Sequence, residues 1–155
     1  LHRLIRRQRQ MCIRDRAKGE AKAYLAGLQE FLGKIPADDA GRLLLFGEQL
    51  YLMPEHMPAT RRLHVLRPGL HLGTVKKNRL EPAHALALAI SPQEACHSWN
   101  LSVDEARAYL AGQTFPAEGE KGWYLITVDG YSLGWGKLAG SVMKNHYPKG
   151  LRKLL

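Results

Sequence analysis

The chain has 155 residues, 45% of them apolar, a formal net charge of +9 and a pI near 9.8. That suffices for the core of one domain, or of one small domain with an appended subdomain, and the charge points to a polyanionic partner. Cys12 and Cys96 are the only cysteines, which excludes a disulfide framework and fits a cytoplasmic protein; no apolar run approaches the roughly 18 residues of a membrane helix.

Residues 1 to 16 carry Arg3, Arg6, Arg7, Arg9, Arg14 and Arg16 against Asp15 alone. They supply +5 of the charge and leave +4 for the rest. Gln10 to Arg16 has no periodicity that would bury a face. The leader resembles a translated sequencing-adapter remnant and is expected to be non-native, to be set aside like any fusion scar. The rival reading is a basic arm for nucleic acid.

From Ala17 to Leu32, residues Ala21, Tyr24, Leu25, Leu28, Phe31 and Leu32 recur at helical spacing, and Gly33 and Pro36 end the predicted helix. Leu43–Phe46 and Gln49–Met53 read as short strands around Gly47-Glu48. Two more runs, Leu63–Leu66 and Leu70–Val75, flank the turn dipeptide Pro68-Gly69. Pro82 suits the first turn of a short helix over Ala83–Ile90. Ser91-Pro-Gln-Glu94 and Ser102-Val-Asp-Glu105 both match a capping box, so two helix starts are expected. The second helix turns Ala106, Tyr109 and Leu110 inward and ends at Gly112. Trp123–Val128, the Asp129-Gly130 turn and Tyr131–Leu138 form a hairpin. Gly134 and Gly136 flank Trp135 and suggest a bulge or a close backbone approach. Ser141–Tyr147 reads as a last strand. Short strands at both ends with helices between them predict an α+β chain with a small curled barrel, not a βαβ nucleotide fold.

Two stretches lack carboxylates. Arg61 to Leu80 holds Arg61, Arg62, Arg67, Lys76, Lys77 and Arg79. From Tyr131 onward come Lys137, Lys144, Lys149, Arg152 and Lys153. They are expected to flank one groove from the two edges of a barrel and to meet phosphates there; the bland alternative is a solvated loop. Within Lys144 to Lys149, Asn145 is expected to read a base edge, His146 adds an imidazole, and Tyr147 is expected to stack. The alternative for Tyr147 is packing of the terminal strand. Trp123, Trp135 and Tyr131 are candidate stacking rings; such aromatics more often pack a core, as is expected of Trp123, and Trp135 between its glycines is more open. Cys96 and His97 are adjacent, there is no HExxH or CxxC, and no metal site is expected. No GxSxG, P-loop or GxGxxG motif occurs, so no catalytic residues are assigned. Cys96 is expected to be an inert thiol in a capped helix.

Leu66 to Gly73, Lys76 to Ala89, Leu133-Gly134 with Lys137, and Met143 to Lys149 together resemble the C-terminal region of RsmF-type ribosomal RNA (cytosine-5-)-methyltransferases of the Sun family. The resemblance covers Ala17 to Arg152. It implies a small α/β subdomain over 17–62, its boundary movable to about 80, followed by a PUA-like β pseudo-barrel with inserted helices over 63–155. It implies ribosomal RNA as the partner, bound by Lys76, Lys77, Arg79, Trp135, Lys137, Lys144, Asn145, His146, Tyr147, Lys149 and Arg152. The family's catalytic domain, with its S-adenosylmethionine site and two active-site cysteines, has no counterpart here. The chain is therefore expected to be a cofactor-free, monomeric piece of a longer enzyme. Two other readings stand beside this one. One is a docking module whose Ala17–Leu32 stripe and Trp135 ribbon face a catalytic domain in cis. The other is an independent enzyme, which the absence of an acid, base and nucleophile set argues against.

Overall fold

The computed structural model describes residues 23–33, 42–57, 63–77 and 79–152. The chain divides into two compact units, one holding Ile35–Ala83 and the other Leu28–Lys34 with His84–Leu155. The leader, residues 17–22 of the predicted first helix and Lys153 lie outside the described residues.

The first unit is an antiparallel sheet of four strands in chain order: β1 (Leu43–Phe46), β2 (Gln49–Leu52), β3 (Leu70–Lys76) and β4 (Arg79–Pro82). The expected Gly47-Glu48 hairpin forms, pairing Phe46 with Gln49 and Leu43 with Leu52. Leu43, Leu44, Leu50, Tyr51, Leu72 and Leu80 bury its core. Leu70–Pro82 pair within this sheet, which corresponds to the late end of the expected boundary, near 80, because β3 hydrogen-bonds to β2 and β4 to β3. Leu63–Leu66 is not a strand. Leu63 and Leu66 are exposed, so the run buries no apolar face against a sheet.

The second unit is a curled five-stranded sheet ordered β5-β7-β8-β9-β6. Its strands are β5 (Ser98–Leu101), β6 (Phe115–Pro116), β7 (Gly122–Val128), β8 (Tyr131–Ala139) and β9 (Val142–Asn145). β5 runs parallel to β7, and the other pairs are antiparallel. Helix α2 (His84–Ala89) packs on β8, and helix α3 (Val103–Leu110) packs on β5 and β7. This is the expected α+β class with a PUA-like pseudo-barrel.

The predicted Ser102–Glu105 capping box is complete. The Ser102 hydroxyl accepts from the Glu105 N–H at 3.3 Å, and the Glu105 carboxylate accepts from the Ser102 N–H at 2.8 Å. Asp129 and Gly130 both take positive φ, 50° and 82°, as a two-residue hairpin turn requires. Leu133 is the extra residue of a bulge, since Ile126 opposes Gly134 and Thr127 opposes Ser132. At Gly134 the neighbours approach closely: a Cβ there would lie 2.5 Å from the Tyr109 hydroxyl oxygen.

The first predicted helix ends early and the second does not start, for one reason. The described part of the first helix is only α1 (Leu25–Gln29), and Ser91 starts a turn, not a helix. The backbone after each is diverted into an antiparallel bridge. The Gly33 N–H donates to the Glu94 carbonyl and the Cys96 N–H to the Phe31 carbonyl, at 2.9 and 3.0 Å. Those bonds satisfy groups that a continued helix would have paired internally. The Ser91–Glu94 contact predicted from sequence still forms, at 2.7 Å from the Ser91 N–H.

The inner face of the second sheet packs Tyr124, Ile126, Leu138 and Met143 against Leu101, Ala106 and Tyr109. His84 sits at the edge of this unit with its Nδ1 buried and without a hydrogen-bond partner. Its ring stands edge-on to Tyr147, with centroids 5.2 Å apart. Burial lowers the His84 pKa below its ordinary 6.5. The neutral ring is thus favoured in the fold, so its contribution is full above about pH 6.5 and is lost as pH falls toward the lowered value. Trp99, Trp123 and Trp135 all lie in this unit, so tryptophan emission follows its unfolding. Between about pH 7.5 and about pH 5.5 the urea midpoint by this signal should fall, and should fall less in His84→Gln. Parallel pH dependence in the two proteins would contradict the assignment.

Candidate nucleic-acid interface

Strands alternate their side chains, so the register of β7, β8 and β9 decides what faces outward. Trp123 pairs with Lys137, and Lys137 pairs with Lys144. The three residues therefore form one row on the face opposite the Tyr124–Ile126 core. In the next row Leu125 pairs with Trp135, whose carbonyl accepts the His146 N–H at 3.1 Å. The Lys137 ammonium lies 5.0 Å from the centroid of the Trp123 ring. The His146 ring stands edge-on to the same indole at 4.6 Å. Trp123 itself is buried, as expected, beneath this polar layer.

Lys137 and Lys144 are directly opposed like charges, an arrangement that costs a few tenths to about 1 kcal/mol in a sheet. A cation–π contact returns about 0.5 to 1 kcal/mol to Lys137. Lys144 is exposed. Among the described residues neither lysine has an ion pair, nor does Lys149, exposed in the 3-10 turn Lys149–Leu151 that follows β9.

The other basic stretch is arranged differently. Lys76 opposes Arg79 across β3 and β4, so here too like charges meet. Glu81, one residue beyond the carboxylate-free stretch, pairs with Lys76 at 2.7 Å and offsets it. Lys77 and Arg79 are exposed around the turn, and Lys77 has φ of 48°. Lys76 and Arg79 lie on the four-stranded sheet and Lys137 and Lys144 on the five-stranded one, while Arg61 and Arg62 lie outside the described residues.

Four candidate residues are occupied by the fold. Trp135 is 2% exposed, its ring edge-on to Phe31 at 5.7 Å. It presents no face for stacking, and exposing it would forfeit burial worth about 3 kcal/mol. The Asn145 amide donates to the carbonyls of Tyr109 and Gln113 at 2.7 and 2.8 Å, and its oxygen accepts the Tyr147 N–H at 2.8 Å. Both donors are thus committed to the end of α3 and the segment after it, so Asn145 is a clamp and not a reader of base edges. Tyr147 is half-buried between His84 and Tyr109, with its ring edge-on to both; the packing alternative describes it. Arg152 is half-buried along Gly112, and its Nε donates to the Tyr147 carbonyl at 3.3 Å.

Sequence reasoning did not find the opposed lysine pair. Its signal was the two-residue link Gly140-Ser141, which sets Ala139 opposite Val142 and hence Lys137 opposite Lys144. Of the three candidate stacking rings, Tyr131 is the accessible one, 77% exposed beside the Asp129-Gly130 turn.

No catalytic arrangement forms around the remaining reactive groups. The Cys96 thiol donates to the Gln29 carbonyl at 3.1 Å, and burial pushes its pKa up, away from the reactive thiolate. Burial also pushes up the Tyr109 hydroxyl, which donates to the Trp135 carbonyl at 2.9 Å. Among the described residues no three His, Cys, Asp or Glu side chains come together as metal ligands. No helix among them is long and apolar enough to cross a membrane.

Residues 28–90 match the family model for the first C-terminal domain of RsmF rRNA methyltransferase, and residues 96–153 match that for the methyltransferase RsmF PUA domain. Ribosomal RNA small subunit methyltransferase F of Vibrio cholerae serotype O1 is 27% identical over 142 residues, covering 88% of this chain and 30% of that protein. The protein of the same name from Aeromonas hydrophila is 27% identical over 135 residues, covering 85% of this chain and 28% of its own length. That from Vibrio atlanticus is 24% identical over 141 residues, covering 86% and 29%. The chain thus spans about 30% of the length of the relatives it matches.

Asn145→Ala should destabilise the second unit by about 2 kcal/mol, since it removes three hydrogen bonds and strips partners from carbonyls at the end of α3. Urea unfolding followed by tryptophan emission measures this. An unchanged midpoint would return Asn145 to the list of free contact residues.

Proposed function

The chain belongs to the RsmF family of ribosomal RNA methyltransferases, in the region of its C-terminal domains, and from that premise we propose that it binds ribosomal RNA and holds it for methylation. The observation that carries the proposal is the outer face of β7–β9. There Lys137 and Lys144 are held side by side with no ion pair among the described residues, and Lys149 follows within five residues of Lys144. An anion between two opposed ammonium groups relieves their mutual repulsion, and the phosphate backbone of RNA supplies such an anion. The matched domains supply binding and position. Methyl transfer belongs to a catalytic domain in cis, which takes S-adenosylmethionine and modifies cytosine at carbon 5 of small-subunit RNA. We assign the module to the cytoplasm, as a monomer that needs no cofactor of its own.

The docking alternative needs an exposed apolar face on the first helical stripe and the Trp135 ribbon. Leu28, Phe31 and Trp135 are instead all buried, and Phe31 packs on Trp135 within the second unit. That favours the RNA reading.

The test is binding of a structured RNA hairpin by fluorescence anisotropy across a salt series. Replacing Lys137, Lys144 and Lys149 together by Ala should weaken binding at least about tenfold and reduce the salt slope by about two to three. Replacing Arg3, Arg6 and Arg7 together should do less. Equal or reversed effects would contradict the proposal.

A further inference from the structure

The C-terminal cluster contains two kinds of side chain, and the fold treats them differently. Three of the groups able to distinguish one base from another are committed to the protein, while the exposed His146 ring stands edge-on to Trp123. Asn145 uses both amide protons on the Tyr109 and Gln113 carbonyls, and its oxygen holds the Tyr147 N–H. Trp135 is sealed in the core, and Tyr147 is wedged edge-on between His84 and Tyr109. The groups able to meet only charge are left accessible. Lys144 and Lys149 are exposed, and Lys137 lies over the Trp123 ring with no ion pair among the described residues.

We infer that the outer face of β7–β9 recognises the phosphate backbone of RNA and is blind to its bases, with Lys137 and Lys144 converging on one phosphate. This deepens the proposed function and rests on it. Opposed residues of a pair have Cβ atoms only about 5 Å apart, so two flexible ammonium groups reach one anion from adjacent strands. An ammonium is a compact point charge that suits a phosphate oxygen, without the planar fork of a guanidinium. The contact therefore fixes position along the strand and carries no sequence information. The accessible ring, Tyr131, lies at the opposite end of β8, about 20 Å from Lys137 at the usual rise per residue. If it stacks on a base, stacking tolerates every base equally, which leaves the inference intact.

The experiment measures binding of the full chain to single-stranded oligonucleotides of adenylate, uridylate and cytidylate, each about twelve nucleotides long, at one fixed salt concentration. Inorganic polyphosphate serves as competitor. The expected result is three affinities within about threefold of each other, all displaced by polyphosphate. The Lys137→Ala, Lys144→Ala double variant should lower all three by the same factor. A preference above about tenfold for one homopolymer, or failure of polyphosphate to compete, overturns this inference and leaves the proposed function standing. Absence of binding to all three and to a structured hairpin overturns both. Circular dichroism of the double variant separates lost charge from lost fold.

Discussion

The register between β7, β8 and β9 is the constraint on which the rest of the second unit depends. One residue of slip would move every side chain to the other face. In the observed register Tyr124, Ile126, Leu138 and Met143 point to the core, while Trp123, Lys137 and Lys144 line the other side. Two short turns set it, Asp129-Gly130 and Gly140-Ser141, and the bulge at Leu133 adjusts it where Gly134 must approach Tyr109. Packing and charge display are therefore one decision. The apolar face could not be buried in this sheet without placing the two lysines side by side outside.

Closure of the unit comes from contacts between residues far apart in the chain. The Asn145 amide reaches carbonyls 36 and 32 residues earlier, and the Tyr109 hydroxyl reaches the Trp135 carbonyl 26 residues later. These bonds lock the end of α3 to β8 and β9. They also explain why the segment after β9 mixes structural and exposed residues at close spacing. Asn145, Tyr147 and Arg152 hold the segment in place, while Lys144 and Lys149 extend from it.

Much of the fold was legible in local signals. The Ser102–Glu105 box, the Asp129-Gly130 turn and the β-branched and aromatic run before it each specify their own conformation within a few residues, and each forms. The early end of α1 and the turn at Ser91 escape a local reading because the bridge between Leu32 and Ala95 joins segments that no local window sees together. The candidate site was half legible for the same reason. Lysines seldom bury, so Lys144 and Lys149 could be placed outside from residue type alone. Asn145 and Trp135 could not be assigned locally, because an amide and an indole serve a core as well as a surface. Their partners, Tyr109, Gln113 and Phe31, are brought to them by tertiary structure. Glu81 stands just past the basic stretch, and β3–β4 pairing folds it back onto Lys76, a contact that no local signal announces.

The central claim is that the Lys137–Lys144 pair costs the fold stability and is kept for an anion. Lys144→Glu tests it most directly, because it turns a repulsive cross-strand pair into an attractive one. Urea unfolding and RNA anisotropy on this one variant should move in opposite directions: stability higher by about 0.5 kcal/mol, and RNA affinity lower by at least about tenfold. A variant that is more stable and binds RNA as before, or one that is destabilised, would contradict the account.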